Sequence, residues 1–389
     1  MKKFIKTTTV MILLTGWLNT GYAQQADHIH IHGFGSWGHG RTDGNNYLFG
    51  AENGGTDYLD FALAITSKRS ENLHLSTQVY WNDHEEAEID YAFAEWRFSD
   101  YARLRLGAVK RPFGIYSEIF DVGTLRPFFS LPGAVYATTG INAEAVHGIN
   151  LTGSFMQTGG WTLSYDIYTG QMGMEEQGPL PLFDELSEDE NEEFSALKTQ
   201  EDLDESEESE ESEESVTLKD VIGGRVTVES PIEGLKLGVS GYSGKVNNPS
   251  NKHEVYGVHG EFLSDKWIVR SEYYKYLQGD NGHIDVFYYE AARRLSLNWQ
   301  IAARIERSQT SLAGEKVELA QSLLKHREFA VGLNYWMNAF FVIKLSWHSV
   351  EGNRFAKSGL AEEVTDASTL DKQTNMLIEI GRASCRERV

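Results

Sequence analysis

Clustered charge is the chemistry this sequence offers most plainly. Arg103 and Arg105 alternate with Leu104 and Leu106, so on an extended segment both guanidinium groups leave one face. Lys110 and Arg111 close that run. Glu118, Asp121 and Arg126 come next, in a proline-bearing stretch. Charges of both signs around a water-filled gap would set a transverse field and bias which ions pass; on one solvated wall they would do no more than hold water. The segment His28-Ile29-His30-Ile31-His32 puts three imidazoles on one strand face, and two histidines at that spacing can share a metal. The weightier reading is the rim of a first strand with Ile29 and Ile31 outward, so no metal is assigned. Gly33–Gly38 fits G-x-G-x-x-G, but a dinucleotide site needs a helix next, and the residues after Gly38 are the loop-like HGRTDGNN. G-x-S-x-G, H-E-x-x-H and P-loop patterns do not occur. A Ser/His/acid group would have to converge from scattered strands, and none can be named. No enzyme activity and no cofactor are expected.

The elements that must carry these charges have a period of two. Leu73, Leu75, Thr77, Val79 and Trp81 alternate with His74, Ser76, Gln78, Tyr80 and Asn82. The same rhythm runs through 297–306 and 341–348, giving each run one apolar and one mostly polar face. The runs are about ten residues long, the length a tilted strand needs to cross a bilayer. About sixteen are expected, near 28–40, 57–67, 72–82, 88–99, 101–110, 146–156, 160–170, 219–230, 234–244, 253–264, 266–277, 283–293, 295–308, 326–338, 339–350, and one opening near Thr374. Every second connection is short, and most of the others are longer. A soluble sandwich has no reason to sort its loops by parity. A transmembrane antiparallel β-barrel does, with short turns on one side, long loops on the other, an apolar outside and a polar inside. Closure also leaves no unpaired edge in lipid. The expectation is therefore an all-β barrel.

The chain's ends and composition fit an exported protein. Residues 1–23 have a basic start, a short apolar run and Gly21-Tyr22-Ala23, the layout of a cleavable signal peptide. The only cysteine is Cys385, so an exported fold of this size must be held by hydrogen bonds and packing rather than by disulfides. The net charge of −22 is uneven: Asp184 to Ser215 holds 17 acidic residues and one lysine. That segment, with the repeat SEESEESEES, has almost nothing to bury and reads as a disordered outer loop, placed within a connection at 171–218. It could collect divalent cations, screen anions at a mouth, or simply be solvated.

The stretch LRLGAVKRPFGIYSEIFDVGTLRPFFSLPGAVY resembles Gram-negative outer-membrane porins, including the group related to phosphate-selective porins. There a strand ending in R-x-G-x-x-K/R runs into a PFG or PLG turn, then D-V-x-x-x-R-P and P-x-x-x-Y. The resemblance implies that residues 111–146 fold inward as a constriction loop, presenting Glu118, Asp121 and Arg126 to the lumen. It also implies a homotrimer in outer-membrane lipid that passes ions and small hydrophilic solutes, with no role for nucleic acid. Anion and cation selectivity stay open, because lysines are not clustered in the loop and the acidic segment lies near the mouth. A surface binding or adhesion barrel that uses the acidic loop for cations or a partner is the alternative. The barrel domain is expected over 24–378. Ile380–Val389 resembles a translated sequencing adapter, so 379–389 reads as a non-native tail and Cys385 is given no role.

Overall fold

The computed structural model describes residues 29–44, 47, 50–51, 54–82, 87–136, 145–156, 159–175, 215–245, 252–279, 282–312, 324–355 and 376–387. Sixteen strands run in chain order: β1 Ile29–Thr42, β2 Gly55–Lys68, β3 Leu73–Asn82, β4 Glu88–Ser99, β5 Ala102–Lys110, β6 Ala145–Met156, β7 Thr162–Glu175 and β8 Ser215–Glu229, then β9 Leu235–Lys245, β10 Lys252–Leu263, β11 Trp267–Gln278, β12 Gly282–Arg294, β13 Trp299–Leu312, β14 Lys325–Asn338, β15 Phe341–Glu351 and β16 Met376–Glu387. Each pairs antiparallel with its sequence neighbours. β16 returns to β1, with Gly38 opposite Gly381, and the sheet closes into a barrel.

The alternating pattern decides which face points where. On β15, Ile343, Leu345 and Trp347 are 40–45% exposed, whereas Lys344, Ser346 and His348 between them are 3% exposed or less. β13 and β14 repeat this, with Ile301, Ile305, Phe329, Val331 and Leu333 outward and Gln300, Arg304, Glu306, Glu328 and Asn334 inward. In water this arrangement would forfeit roughly 1.5–3 kcal/mol for each large apolar side chain left outside. Against hydrocarbon it is the favourable one, and it meets the rule that polar groups be enclosed. Aromatic rings gather at the short-turn end: Tyr101 stacks on Phe155 and Phe155 on Tyr165, while Trp299 packs on Tyr335. Arg293 and Arg294 lie over Trp267 and Trp336. Such a belt suits the interface between lipid and water.

Several strand boundaries differ from the sequence expectation. β13 begins at Trp299, not near 295. The backbone N–H groups of Leu295 and Ser296 bond to the Trp299 carbonyl, and Ser296 Oγ accepts from Asn298 and Trp299, so 295–298 is a turn. β7 and β8 continue into the expected outer connection, with Met172 opposite Leu218 and Glu175 opposite Ser215. β16 runs past Ile378 to Glu387, paired with β15 as far as Ser384 and with β1 as far as Glu387; ladder bonds are made by the backbone and accept almost any side-chain series. The expected signal segment, the acidic stretch 184–214 and residues 137–144 lie outside the described residues, as does His28. His30 and His32 sit at the turn-side end of β1, with Ile29 and Ile31 exposed beside them.

Candidate functional site

The chain between β5 and β6 enters the barrel. Its entry is a turn set by Arg111-Pro112-Phe113-Gly114. Gly114 has φ +57, and a Cβ there would strike the Tyr136 hydroxyl and Glu272; glycine is the residue that adopts this conformation without a steric cost. Three consecutive backbone N–H groups of the turn are claimed. Gly114 N–H donates to Ser240 Oγ at 3.2 Å, and Ile115 N–H donates to Glu272 Oε1 at 2.6 Å. The N–H groups of Ile115 and Tyr116 share the Tyr136 hydroxyl at 3.0 and 2.9 Å. Short 3-10 turns come next at Ser117–Ile119 and Gly123–Leu125, then one helical turn, α1, at Gly133–Tyr136.

Apolar packing holds one side of this loop. Phe113, Tyr116, Leu131, Ala134, Val135 and Tyr136 form a buried cluster with wall residues that include Tyr168, Tyr242, Tyr274, Ile284, Val286 and Tyr288. Phe113 stacks on Tyr274 at 4.5 Å. Farther along, Phe129 lies against Gly38 and Gly381, where a Cβ on either glycine would overlap its ring. The loop therefore crosses from the β9–β12 wall to the β1–β16 seam.

Charged wall residues hold the loop's backbone. Lys344 Nζ donates to the carbonyls of Gly123, Arg126 and Phe128 at 2.6, 2.5 and 2.9 Å. Arg270 donates to the Leu125 carbonyl, Asn334 to Pro127, Arg304 to Ser130 and Arg225 to Gly114. Wall carboxylates take the loop's donors: Glu306 accepts from Ala134 N–H at 3.0 Å, Glu379 from the Ser130 hydroxyl at 2.9 Å, and Glu290 from the Tyr116 hydroxyl. A buried peptide group without a partner costs about 1–3 kcal/mol, so this set fixes the loop's path. Burial holds the Tyr116 and Tyr136 hydroxyls well above the ordinary phenol range, with Glu272 adding to the shift at Tyr136. Both stay protonated; the Tyr116 hydroxyl donates to Glu290.

The sequence-predicted charges separate into five places. Lys110 and Asp121 meet: Lys110 Nζ is ion-paired to Asp121 and lies 2.9 Å from Asp90 Oδ2, while Gln78 donates to both carboxylates. Glu118 pairs instead with Arg225 at 2.5 Å, and Arg225 also holds Asp166 at 3.0 Å. Arg111 is fully buried over the rings of Phe113 and Tyr242, at 4.5 and 4.9 Å. Arg126 is buried and donates to the Phe120 carbonyl at 3.2 Å. Arg103 and Arg105 are not opposite these groups. They lie near the Asp100 turn, facing Arg97 and Glu95 across β4, with Arg105 Nε 2.7 Å from Glu95 Oε2. Sequence reasoning missed Arg225, Arg270, Arg304 and Lys344 as loop holders. Arg304 and Lys344 do sit at polar positions of the alternating runs, which marks them as inward-facing.

No family model matches the sequence, and no curated protein matches it. Solved structures do. The Salmonella typhi OmpF complex with daunomycin superposes with a TM-score of 0.56 at 12% identity, covering 92% of this chain and 97% of that one. The anion-selective porin from Comamonas acidovorans gives 0.54 at 8% identity, covering 92% and 99%. The trimer form of OmpT, an outer membrane protein of Vibrio cholerae, gives 0.54 at 8% identity with the same coverage. At such identities the likeness is one of fold: this chain is a closed sixteen-stranded antiparallel barrel with the fold of those outer-membrane proteins.

Proposed function

We propose that this protein is an outer-membrane channel for the passive diffusion of ions and small hydrophilic solutes, with residues 111–136 as its constriction. One observation carries the reading. A loop crosses a polar barrel interior and is tied down by charged wall groups, while the outside of the same strands is apolar. An apolar outside wants lipid, and a polar inside wants water or polar chain. The Lys110–Asp121–Asp90 and Arg225–Glu118–Asp166 groups then set the local field beside the passage, and Arg103 and Arg105 add positive charge nearer the turn side. Like the OmpT trimer form, this barrel would work as a homotrimer. Residues 184–215 would screen anions or gather cations at the outer mouth.

A liposome swelling assay tests the reading. Vesicles carrying the folded protein should swell in isosmotic sugar, faster for small sugars than for large ones. Folded protein in vesicles that do not swell with any sugar or with glycine would remove passive diffusion of small solutes.

A further inference from the structure

Beneath the outer rim lies a group of side chains that holding the loop does not use up. Glu306 on β13 and Glu328 on β14 are direct cross-strand partners, and His326 sits two residues closer to the outer end of β14. All three are buried. Two carboxylates placed side by side away from water repel each other, and one would normally take up a proton or a counter-ion.

Each of the three has one atom engaged and one open. Glu306 Oε2 accepts from Ala134 N–H at 3.0 Å. Glu328 Oε1 accepts from Arg304 Nη2 at 3.0 Å and meets His348 Nδ1 at 2.9 Å. His326 Nδ1 meets the Tyr47 hydroxyl at 2.5 Å. The remaining atoms, Glu306 Oε1, Glu328 Oε2 and His326 Nε2, have no hydrogen-bond partner among the described residues. His326 Nε2 lies 3.5 Å from Glu306 Oε1, close to the separation of two ligands on one metal with bonds of about 2.0–2.2 Å. One ligand atom from each of the three residues falls within 4.8 Å of the others. Arg304 Nη2 is 3.7 Å from Glu306 Oε1, so one guanidinium is shared between two carboxylates.

We infer that Glu306, His326 and Glu328 form a site for one divalent transition-metal ion of the zinc, cobalt or manganese class. Two carboxylates and a neutral imidazole offer one nitrogen with two oxygens, which suits those ions, while Arg304 stays on the engaged Glu328 oxygen. Calcium needs six to eight oxygens, which these three residues do not supply. The engaged atoms orient the ligands as metal sites require. With the ion on Nε2, the ring proton sits on Nδ1 and donates to the Tyr47 oxygen, fixing the tautomer. Tyr47 stacks on His326 with centroids 5.9 Å apart, and Phe355 meets it edge-on at 4.7 Å. Both rings are buried and roof the site from the outer side.

Titration of the full chain, folded in detergent, with Co2+ tests this without reference to conduction. The wild type should develop visible d–d bands at one equivalent per chain. Zn2+ should displace them, and millimolar Mg2+ or Ca2+ should not. Glu328→Gln and His326→Gln should each weaken binding at least tenfold. Tyr47→Phe keeps the ring but removes the hydroxyl, and should weaken binding about tenfold with the barrel intact. Absence of the bands in folded wild type would overturn the inference. So would equal stoichiometry and affinity in wild type, His326→Gln and Tyr47→Phe, which would place the ion on the acidic segment or the histidines of β1. If the ligand variants do not fold, Tyr47→Phe decides.

Discussion

At the scale of single residues, several interior charges serve the loop's backbone as well as each other. Lys344 is the clearest case, because one ammonium satisfies three loop carbonyls. Lys344→Met should leave those carbonyls without a donor and destabilise the loop by several kcal/mol, at about 1–3 kcal/mol for each group left unpaired. The measurable result is noisier and larger channel openings with the barrel still folded by circular dichroism. The loop tyrosines give a pH prediction. Tyr116 and Tyr136 are raised above the phenol range in the folded state, whereas unfolded tyrosine ionises near pH 10. Above about pH 10 the folded state therefore binds more protons than the unfolded one, and stability falls as pH rises. The midpoint of thermal unfolding in detergent should drop through that window, with a shallower slope in Tyr116→Phe and Tyr136→Phe.

At the scale of elements, the strands obey one rule, and their faces can be tested separately. Leu345 is on the exposed outer face and Ser346 on the enclosed inner one. Leu345→Arg should cost about 2–4 kcal/mol if it sits at mid-depth, read as a lower urea midpoint in a folding titration into vesicles. Gly38→Val should expel Phe129 from the β1–β16 seam, because the ring occupies the space a Cβ would take; protease cleavage within the loop would report its release. Much of this level is readable in the chain. Period-two alternation marks the strands, and the parity of short connections marks the turn side. The Arg111-Pro112-Phe113-Gly114 turn marks where the chain bends into the barrel. The start of β13 was less legible, because Leu295 and Leu297 continue the alternation while Ser296 turns the backbone. The loop holders were less legible still. Which inward residue meets Gly123 or Ser130 depends on the register of strands more than 170 residues away, and no local spacing encodes it. Lys110 meets Asp121 only 11 residues on, whereas Arg111 ends up beneath the rings of Phe113 and the distant Tyr242.

At the scale of the whole molecule, closure and the inward loop act together. The barrel removes every strand edge from lipid, and the loop takes up interior groups that would otherwise need water. The proposed consequence is a narrow, polar passage whose width depends on how firmly the loop is held. Conductance across a planar bilayer in asymmetric KCl tests that most directly. The account predicts small, stepwise, ohmic openings from the purified chain, widened by Lys344→Met, with a reversal potential whose sign shows whether acidic or basic groups govern selectivity. Folded protein that inserts and gives no steps, with or without that substitution, would contradict it.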